Sequence, residues 1–156
     1  MDKSINYDFA LDMLPYDTNT DHEILPYLTS ISMLTQDIGD RPPTVLLTGD
    51  TRWRPFFIKV REDLLSAGVI PLLPNLFPEY WEGKITREDI VEARRVHRGM
   101  ARSADVIYVI QPCGVLSTNA SEDVHYFTRP IDEGGLGIPV LYDSRGELPD
   151  LLTWYS

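Results

Sequence analysis

The stretch Thr44-Val-Leu-Leu-Thr-Gly-Asp-Thr-Arg52 decides the fold. Its first residues are apolar or β-branched and stop at a glycine, which is typical of a buried strand in a parallel sheet. Pro55 then stands in the first turn of a helical pattern that Phe57 and Leu64 continue, a position where proline costs little. A strand, a glycine turn and a helix in this order predict the opening unit of a parallel α/β sheet.

The same alternation continues along the chain. Further strands are predicted at residues 69–73, 105–110 and 138–142, and helical patterns separate them. This order predicts a flavodoxin- or Rossmann-like parallel sheet of four to five strands flanked by helices.

Two of the helices have local start signals. Thr86-x-x-Asp89 predicts a capping box, in which each side chain bonds the backbone of the other residue. Asn119 or Ser121 is expected to cap the next helix, which places the acidic pair that follows in its first turn.

Residues 1–43 differ from the rest of the chain. They carry eight acidic residues against two basic ones, a net charge of −6. One short helix is predicted from residue 21 or 22 to about residue 37, and Gly39 ends it. We therefore expect an acidic N-terminal helical extension over residues 1–43 and an α/β domain over residues 44–156.

Composition argues against several classes of protein. The chain has 156 residues and a net charge of −10, so we expect one main domain and no nucleic-acid polymer as partner, because such a polymer needs a basic surface. Cys113 is the only cysteine. No run approaches the roughly 18 apolar residues of a membrane span, and no signal-peptide pattern opens the chain. We expect a cytoplasmic protein without membrane contact.

A metal or cofactor is not expected either. The three histidines are dispersed as His22, His97 and His125, and neither HxxxH nor CxxC spacing occurs. Cys113 has no neighbouring base to activate its thiol.

The functional site is expected beyond the carboxyl ends of the strands, where parallel sheets bind their ligands. Gly49 permits a sharp turn there, and the amides that follow face outward at a helix N-terminus, where a phosphate or carboxylate binds well. Arg52 can add a bidentate clamp. The alternative is an ordinary turn in which Asp50 or Thr51 caps the helix.

Glu122 and Asp123 form a second group of candidates. The helix dipole and free amides at a helix start favour ionised carboxylates, and an ionised carboxylate is what nucleophilic attack on a sugar carbon requires. The alternative is capping, with Asn119 as the cap and Glu122 as its partner.

Other polar residues have simpler interpretations beside functional ones. His97 lies on the apolar face of its helix and is expected to be partly buried and hydrogen-bonded, or else to contact substrate. Asp105 opens a strand, where it can bind backbone. Four arginines lie before Asp105 in the sequence: Arg94, Arg95, Arg98 and Arg102. They are expected on a solvated helix face, or else in contact with the acidic N-terminal segment or a second subunit.

Taken together, these motifs resemble the nucleoside 2-deoxyribosyltransferase-like superfamily, which includes the deoxynucleoside monophosphate N-hydrolases. The family's strand and G-S-T-R turn are matched by Leu47-Thr-Gly-Asp-Thr-Arg52. Its A-D-x-I-x-V-I strand is matched by Ala104-Asp-Val-Ile-Tyr-Val-Ile110, and its G-x-P-V segment by Gly137-Ile-Pro-Val140. A strand ending in proline and an aromatic-rich loop correspond to residues 71–81. The similarity covers roughly residues 44–143.

The resemblance implies an enzyme of nucleotide metabolism, either a transferase or a hydrolase. It would act at the N-glycosidic bond of a (deoxy)nucleoside or its 5′-monophosphate through a carboxylate nucleophile. The family spacing S-x-x-x-x-E, counted from Ser117, places the nucleophile at Glu122, whereas the spacing to Tyr126 favours Asp123; Glu122 is the first choice. His97 falls where the hydrolases carry an Asp near the sugar.

The same resemblance implies how substrate is held. The Gly49 loop would hold the sugar or its 5′ end, and Phe77, Tyr80 and Trp81 could stack on the base. Asp50 replaces the family's usual Ser, and its charge favours a nucleoside over a nucleotide. The alternative hypothesis is a catalytically degenerate nucleotide-binding or sensing module of the same fold. By analogy with the family, a homo-oligomer is expected.

These arguments define one set of candidate site residues. The candidate catalytic residues are Glu122, Asp123 and His97, and the candidate substrate-binding residues are Gly49, Asp50, Thr51, Arg52, Asn75, Tyr80, Trp81, Asp105, Gly114 and Ser117. The expected partner is a small-molecule nucleoside or nucleotide.

Overall fold

Four strands form one parallel sheet in the part of the chain that the computed structural model describes. That part comprises residues 25–74, 86–111, 114 and 116–143. The strands are β1 (Thr44–Gly49), β2 (Ile70–Leu72), β3 (Val106–Ile110) and β4 (Val140–Asp143). Their order across the sheet is β2-β1-β3-β4, and every neighbouring pair is parallel. The predicted fold class is thereby confirmed.

Helices cover both faces of this sheet. They are α1 (Leu25–Leu34), α2 (Arg54–Ser66), α3 (Arg87–Ala101) and α4 (Thr118–Thr128). Ile31 of α1 and Phe57 of α2 belong to the core on one face. Ala101 of α3 and Phe127 of α4 belong to the core on the other face. Each helix therefore buries one apolar side against the sheet, as amphipathic helices do.

β3 is the most deeply buried strand. All of its residues are buried, because alternate side chains point to opposite faces and helices cover both. Tyr108 packs with the α1 and α2 core, whereas Ile107 and Val109 pack with the α3 and α4 core. This double burial explains why the strand is a continuous apolar run in the sequence.

One helix boundary agrees with its local signal in the sequence, and another differs from the prediction. The predicted capping box of α3 is present, with the Asp89 amide 3.1 Å from the Thr86 hydroxyl and the Thr86 amide 3.0 Å from the Asp89 carboxylate. α1 ends earlier than predicted, since the chain tightens into a 3₁₀ turn at Gln36–Ile38. Thr35 closes this end by donating its hydroxyl to the carbonyl of Ile31 at 2.7 Å.

The chain reverses direction across the sheet at β1. It passes from β1 to β2 on one side, and later returns to β3 on the other side. Such a switch point opens a crevice beyond the carboxyl ends of the two central strands. Gly49 makes the close approach there possible. Its φ is +137°, and a Cβ at this position would overlap the carbonyl oxygen of Ile110.

Asp105 lies at the opposite, amino end of the strands. It accepts hydrogen bonds from Arg41 at 2.7 and 2.8 Å and from the Thr44 amide at 2.8 Å. The bond from Arg41 is the main reason that the pKa of the Asp105 carboxyl is lowered. Asp105 therefore joins the start of β1 to the start of β3, as its simpler interpretation predicts, far from the crevice.

The described part of the N-terminal extension packs onto the sheet. Ile31 is buried in the core, and Arg41 pairs with Asp105. The division of the chain at residue 43 stays a prediction. None of the helices among the described residues is long and apolar enough to cross a membrane.

Candidate functional site

A cavity occupies the crevice at the switch point. It has a volume of about 140 Å³. The segments that follow β1, β2 and β3 contribute to its wall, together with one side of α3. Its lining residues are Thr48, Gly49, Asp50, Thr51, Pro74, Ile90, Ala93, Arg94, His97, Ser117, Asn119, Ala120 and Asp123. The cavity therefore brings together candidates from segments that are far apart in the sequence.

Asp50 connects two walls of this cavity. Its Oδ2 accepts a hydrogen bond from the Ser117 amide at 3.0 Å, so the turn after β1 is tied to the start of α4. Ser117 in turn caps α4, because its hydroxyl accepts from the Ala120 amide at 3.2 Å. The prediction that Asn119 or Ser121 is the cap is wrong.

The earlier start of α4 changes the position of the acidic pair. Glu122 and Asp123 lie in the second turn, and no acidic residue lies in the first. The helix dipole acts mainly within the first turn, so the sequence argument for ionisation by the helix start does not apply. The charge of the pair is balanced instead by side chains of α3.

Asp123 is the buried member of the pair. It lines the cavity and is only 6% exposed. Its Oδ1 accepts from Arg94 at 2.9 Å and from Arg98 Nε at 2.9 Å. These bonds all end on Oδ1, and Oδ2 accepts none from the described residues. Asp123 is thus anchored through one oxygen, while its other oxygen has no partner in this part of the chain.

Glu122 is placed differently. Its side chain is 60% exposed, and a terminal nitrogen of Arg94 lies 3.8 Å from its carboxylate. It is not one of the residues that line the cavity.

Two arginines of α3 were expected on a solvated helix face, against the acidic N-terminal segment or against a second subunit. Arg94 and Arg98 contact Asp123 instead. Their spacing of four residues places them on one side of α3, the side that also carries His97. The helical spacing of Arg94, His97 and Arg98 is the sequence pattern from which this contact could have been predicted.

His97 is buried against the end of β1. Its Nε2 is 3.0 Å from the Thr48 hydroxyl, and its ring packs edge-on against Phe127. Burial is the largest influence on the imidazole and lowers its pKa from 6.5 to about 4. Nearby Asp123 opposes this shift. His97 is therefore a neutral group in the cavity wall at pH 7, not a cation.

The other candidates lie elsewhere. Gly114 is exposed in the loop before α4 and does not line the cavity. Asn75, Tyr80 and Trp81 lie outside the described residues, as does the side chain of Arg52. The predicted base-stacking loop is thus untested.

A second cavity lies on the other side of His97. Its volume is about 310 Å³, and it shares Pro74, Ala93 and His97 with the first. Most of its remaining wall is apolar, with Leu73, Val96 and Met100, and acidic residues of α3 complete it. The two spaces together offer a smaller, more polar compartment beside a larger, more apolar one.

Among the described residues, no three His, Cys, Asp or Glu side chains come together to hold a metal ion. The expectation of a site without metal or cofactor stays a prediction.

No protein-family model and no curated protein matches the sequence. Among solved structures, the chain is similar to a 2-desoxiribosyltransferase from Leishmania mexicana, with 19% sequence identity and a TM-score of 0.46. The match covers 66% of this chain and 65% of that one, so the chain spans less than two thirds of that enzyme's length. The fold and the cavity define a doubly wound α/β protein with a carboxylate-bearing site at its switch point.

Proposed function

We propose that this protein belongs to the nucleoside 2-deoxyribosyltransferase-like superfamily. It would cleave or transfer at the N-glycosidic bond of a (deoxy)nucleoside or its 5′-monophosphate, with Asp123 as the nucleophile. One observation carries the proposal: a buried carboxylate at the switch-point cavity is anchored by two arginines through Oδ1, and its Oδ2 accepts no bond from the described residues. Such a group can use its second oxygen to attack an electrophilic carbon.

The reaction has two steps, as in retaining glycosidases. Oδ2 of Asp123 bonds to C1′ of the sugar while the C1′–N bond breaks. The bonding electrons leave with the base, which takes a proton from water. Water or a second base then attacks C1′ and gives up a proton to the hydroxide left by the first step, and the electrons of the C1′–Oδ2 bond return to Asp123.

Asp123 suits this role better than Glu122, which the family spacing places first. A nucleophile must lie where the substrate carbon can approach within about 3–3.5 Å. Asp123 lines the cavity, whereas the Glu122 side chain is 60% exposed. The two neighbours therefore divide into a reacting group and a surface group that adds to the charge around Arg94.

The polar compartment would take the sugar. Its volume of about 140 Å³ is below the ~300–1,000 Å³ of most ligand pockets, which suits a sugar ring and not a whole nucleoside. His97 and Thr48 line it as neutral groups, so they add no charge to the sugar site. The base would extend into the neighbouring apolar cavity, toward the predicted aromatic loop.

Asp50 would face the 5′ end of the sugar. A carboxylate accepts up to about four hydrogen bonds, so Asp50 can bind a 5′-hydroxyl as well as the Ser117 amide. The same negative charge repels a 5′-phosphate. We therefore propose a nucleoside as the preferred substrate.

The second candidate function is a binding or sensing module that performs no reaction. It is favoured by the ion pairs themselves, because Arg94 and Arg98 neutralise Asp123 as a structural pair would. In that case the cavity binds a nucleoside-like ligand without breaking its glycosidic bond.

One experiment separates these functions. A panel of deoxynucleosides and their 5′-monophosphates is incubated with the protein, with and without a second free base, and released base is measured by chromatography. We expect base release by the wild type, and a loss of about 1,000-fold or more in Asp123→Asn. Glu122→Gln is the matched control and should stay within about twofold.

The possible results lead to different conclusions. If Asp123→Asn is as fast as the wild type, the nucleophile is wrongly assigned. If no panel member loses its base but nucleosides raise the melting temperature, the binding module is correct. Absence of both turnover and stabilisation contradicts the nucleoside site altogether.

A homo-oligomer is a further part of the proposal, because enzymes of this family often complete their sites from a neighbouring subunit. Sedimentation equilibrium tests it directly. A monomer at all concentrations would contradict it and leave the reaction to a single chain.

A further inference from the structure

Arg98 contacts the proposed nucleophile from outside the cavity. Its Nε and one terminal nitrogen lie 2.9 and 2.8 Å from Oδ1 of Asp123. Arg98 is not one of the residues that line the cavity. Its guanidinium also lies over the ring of Tyr126, 5.1 Å from the ring centre, a geometry that favours a cation above an aromatic face. Whatever Arg98 does at the site, it does through Asp123.

We infer that Arg98 is a positioning residue that holds Oδ1, directs Oδ2 toward C1′ and speeds the breakdown of the glycosyl-enzyme. This inference rests on the proposed function. It gives the two oxygens of Asp123 different roles. Oδ1 stays bonded to α3 throughout the reaction, whereas Oδ2 forms the ester bond to C1′ and is released when that bond breaks.

The effect on breakdown follows from where the charge lies. Asp123 carries a full negative charge before the first step and after the second. In the covalent intermediate its oxygens form a neutral ester, and Oδ1 is the carbonyl oxygen. A cation beside Oδ1 therefore stabilises the free carboxylate more than the ester. It makes Asp123 a weaker nucleophile but a better leaving group.

Arg94 shares this task without replacing Arg98. It donates to the same oxygen at 2.9 Å, and it also lies 3.4 Å from the Asn119 side chain. Arg94 lines the cavity, so a change there also alters contacts with substrate. Arg98 is the cleaner residue to test.

The test is rapid-quench measurement of base release by Arg98→Met, using a deoxynucleoside that the wild type turns over. We expect a burst of base followed by steady turnover about tenfold slower than in the wild type, the loss expected for one charged hydrogen bond. Because breakdown becomes limiting, kcat and KM should fall together, and intact-mass measurement should show the sugar attached to the protein.

Two variants serve as comparisons. Arg95→Met is the matched control, since Arg95 is an exposed arginine of the same helix that pairs with Glu92; it should behave as the wild type. Arg98→Lys keeps the charge but loses the paired bonds, so it should show the same change to a smaller degree. It also replaces Arg98→Met if that variant does not fold.

The outcomes keep the inference and the proposed function apart. If the wild type releases no base, the proposed function fails and takes this role with it. If the wild type is active and Arg98 variants show no burst, no adduct and an unchanged KM, only the role of Arg98 is overturned. Equal effects of Arg95→Met and Arg98→Met would overturn it as well.

Discussion

The two ends of the sheet each hold an aspartate paired with arginine, and the two pairs are built differently. At the amino end, both oxygens of Asp105 accept hydrogen bonds, from Arg41 and from the Thr44 amide. At the carboxyl end, Asp123 receives all of its bonds from the described residues on Oδ1. The first carboxylate is fully used by the fold. The second is held in place but keeps one oxygen for another partner.

This difference separates a structural ion pair from a candidate reactive one. At the amino end the fold itself occupies both oxygens of the carboxylate. At the carboxyl end Asp123 lines a cavity, and its Oδ2 accepts no hydrogen bond from the described residues, so this oxygen is available to a ligand. The comparison also shows that an Asp–Arg pair alone does not identify a site.

As the pH falls, the carboxyl end of the sheet should lose stability before the amino end does. This is the largest change in the free energy of unfolding that we expect. The folded-state pKa of His97 is lowered to about 4 from 6.5, so between these values the unfolded chain binds more protons than the folded one. Stability is then complete above pH 6.5 and is lost as the pH falls toward 4, by about 3 kcal/mol. Urea unfolding of wild type and His97→Asn at several pH values measures it.

Two controls test this assignment: the variant His97→Asn, and Asp105 at the amino end of the sheet. His97→Asn should lack this loss, since the titrating group is gone. The pKa of Asp105 is also lowered, from 3.8, but its contribution is present above pH 3.8 and is lost only below it. Equal pH dependence of wild type and variant between pH 6.5 and 4 would show that His97 is not the group responsible.

Removing the carboxylate of the amino end should reduce stability without affecting the reaction. Asp105→Ala leaves the Thr44 amide without its partner and separates Arg41 from the sheet, which should cost about 2 kcal/mol. Denaturant unfolding gives this value. Glu92→Ala, which removes an exposed pair with Arg95, should leave the denaturation midpoint unchanged. If Asp105→Ala folds but loses most of its base release, the amino end of the sheet is not purely structural and the comparison fails.

The smallest effect concerns Asp50, the other carboxylate at the carboxyl end. Asp50→Asn keeps an oxygen for the Ser117 amide but removes the charge, so a 5′-monophosphate should bind relatively better. We expect the preference for a nucleoside over its 5′-monophosphate to fall about tenfold, measured by isothermal titration. Asp132→Asn, at an exposed position, is the matched control. An unchanged preference would show that Asp50 does not lie beside the 5′ end of the bound sugar.

Much of the fold could be predicted because its signals are local. The apolar run of β3 and the capping residues Thr86 and Asp89 lie within a few residues of the structure that they specify. The place of the site followed from the order of strands, since parallel sheets open their crevice at the carboxyl ends.

The composition of the site was harder to predict because its contacts are long-range. Asp50 reaches Ser117 across 67 positions, and His97 reaches Thr48 across 49. The cap of α4 was misassigned although its bond is local, since Ser117 accepts from the Ala120 amide three residues on. Several polar residues compete at this helix start, and the contact that ties Ser117 in place comes from Asp50 on another loop.

By itself, the sequence determined the alternation of strands and helices, the parallel sheet and the presence of two adjacent carboxylates on α4. Only the tertiary structure decided that Asp123 lines the cavity while Glu122 lies on the surface. Neighbouring residues on a helix point about 100° apart, so the start of α4 and the packing of α3 against it select one of the two. The same packing brings Arg94 and Arg98 to a single oxygen of Asp123, an arrangement that arises only when both helices are in place.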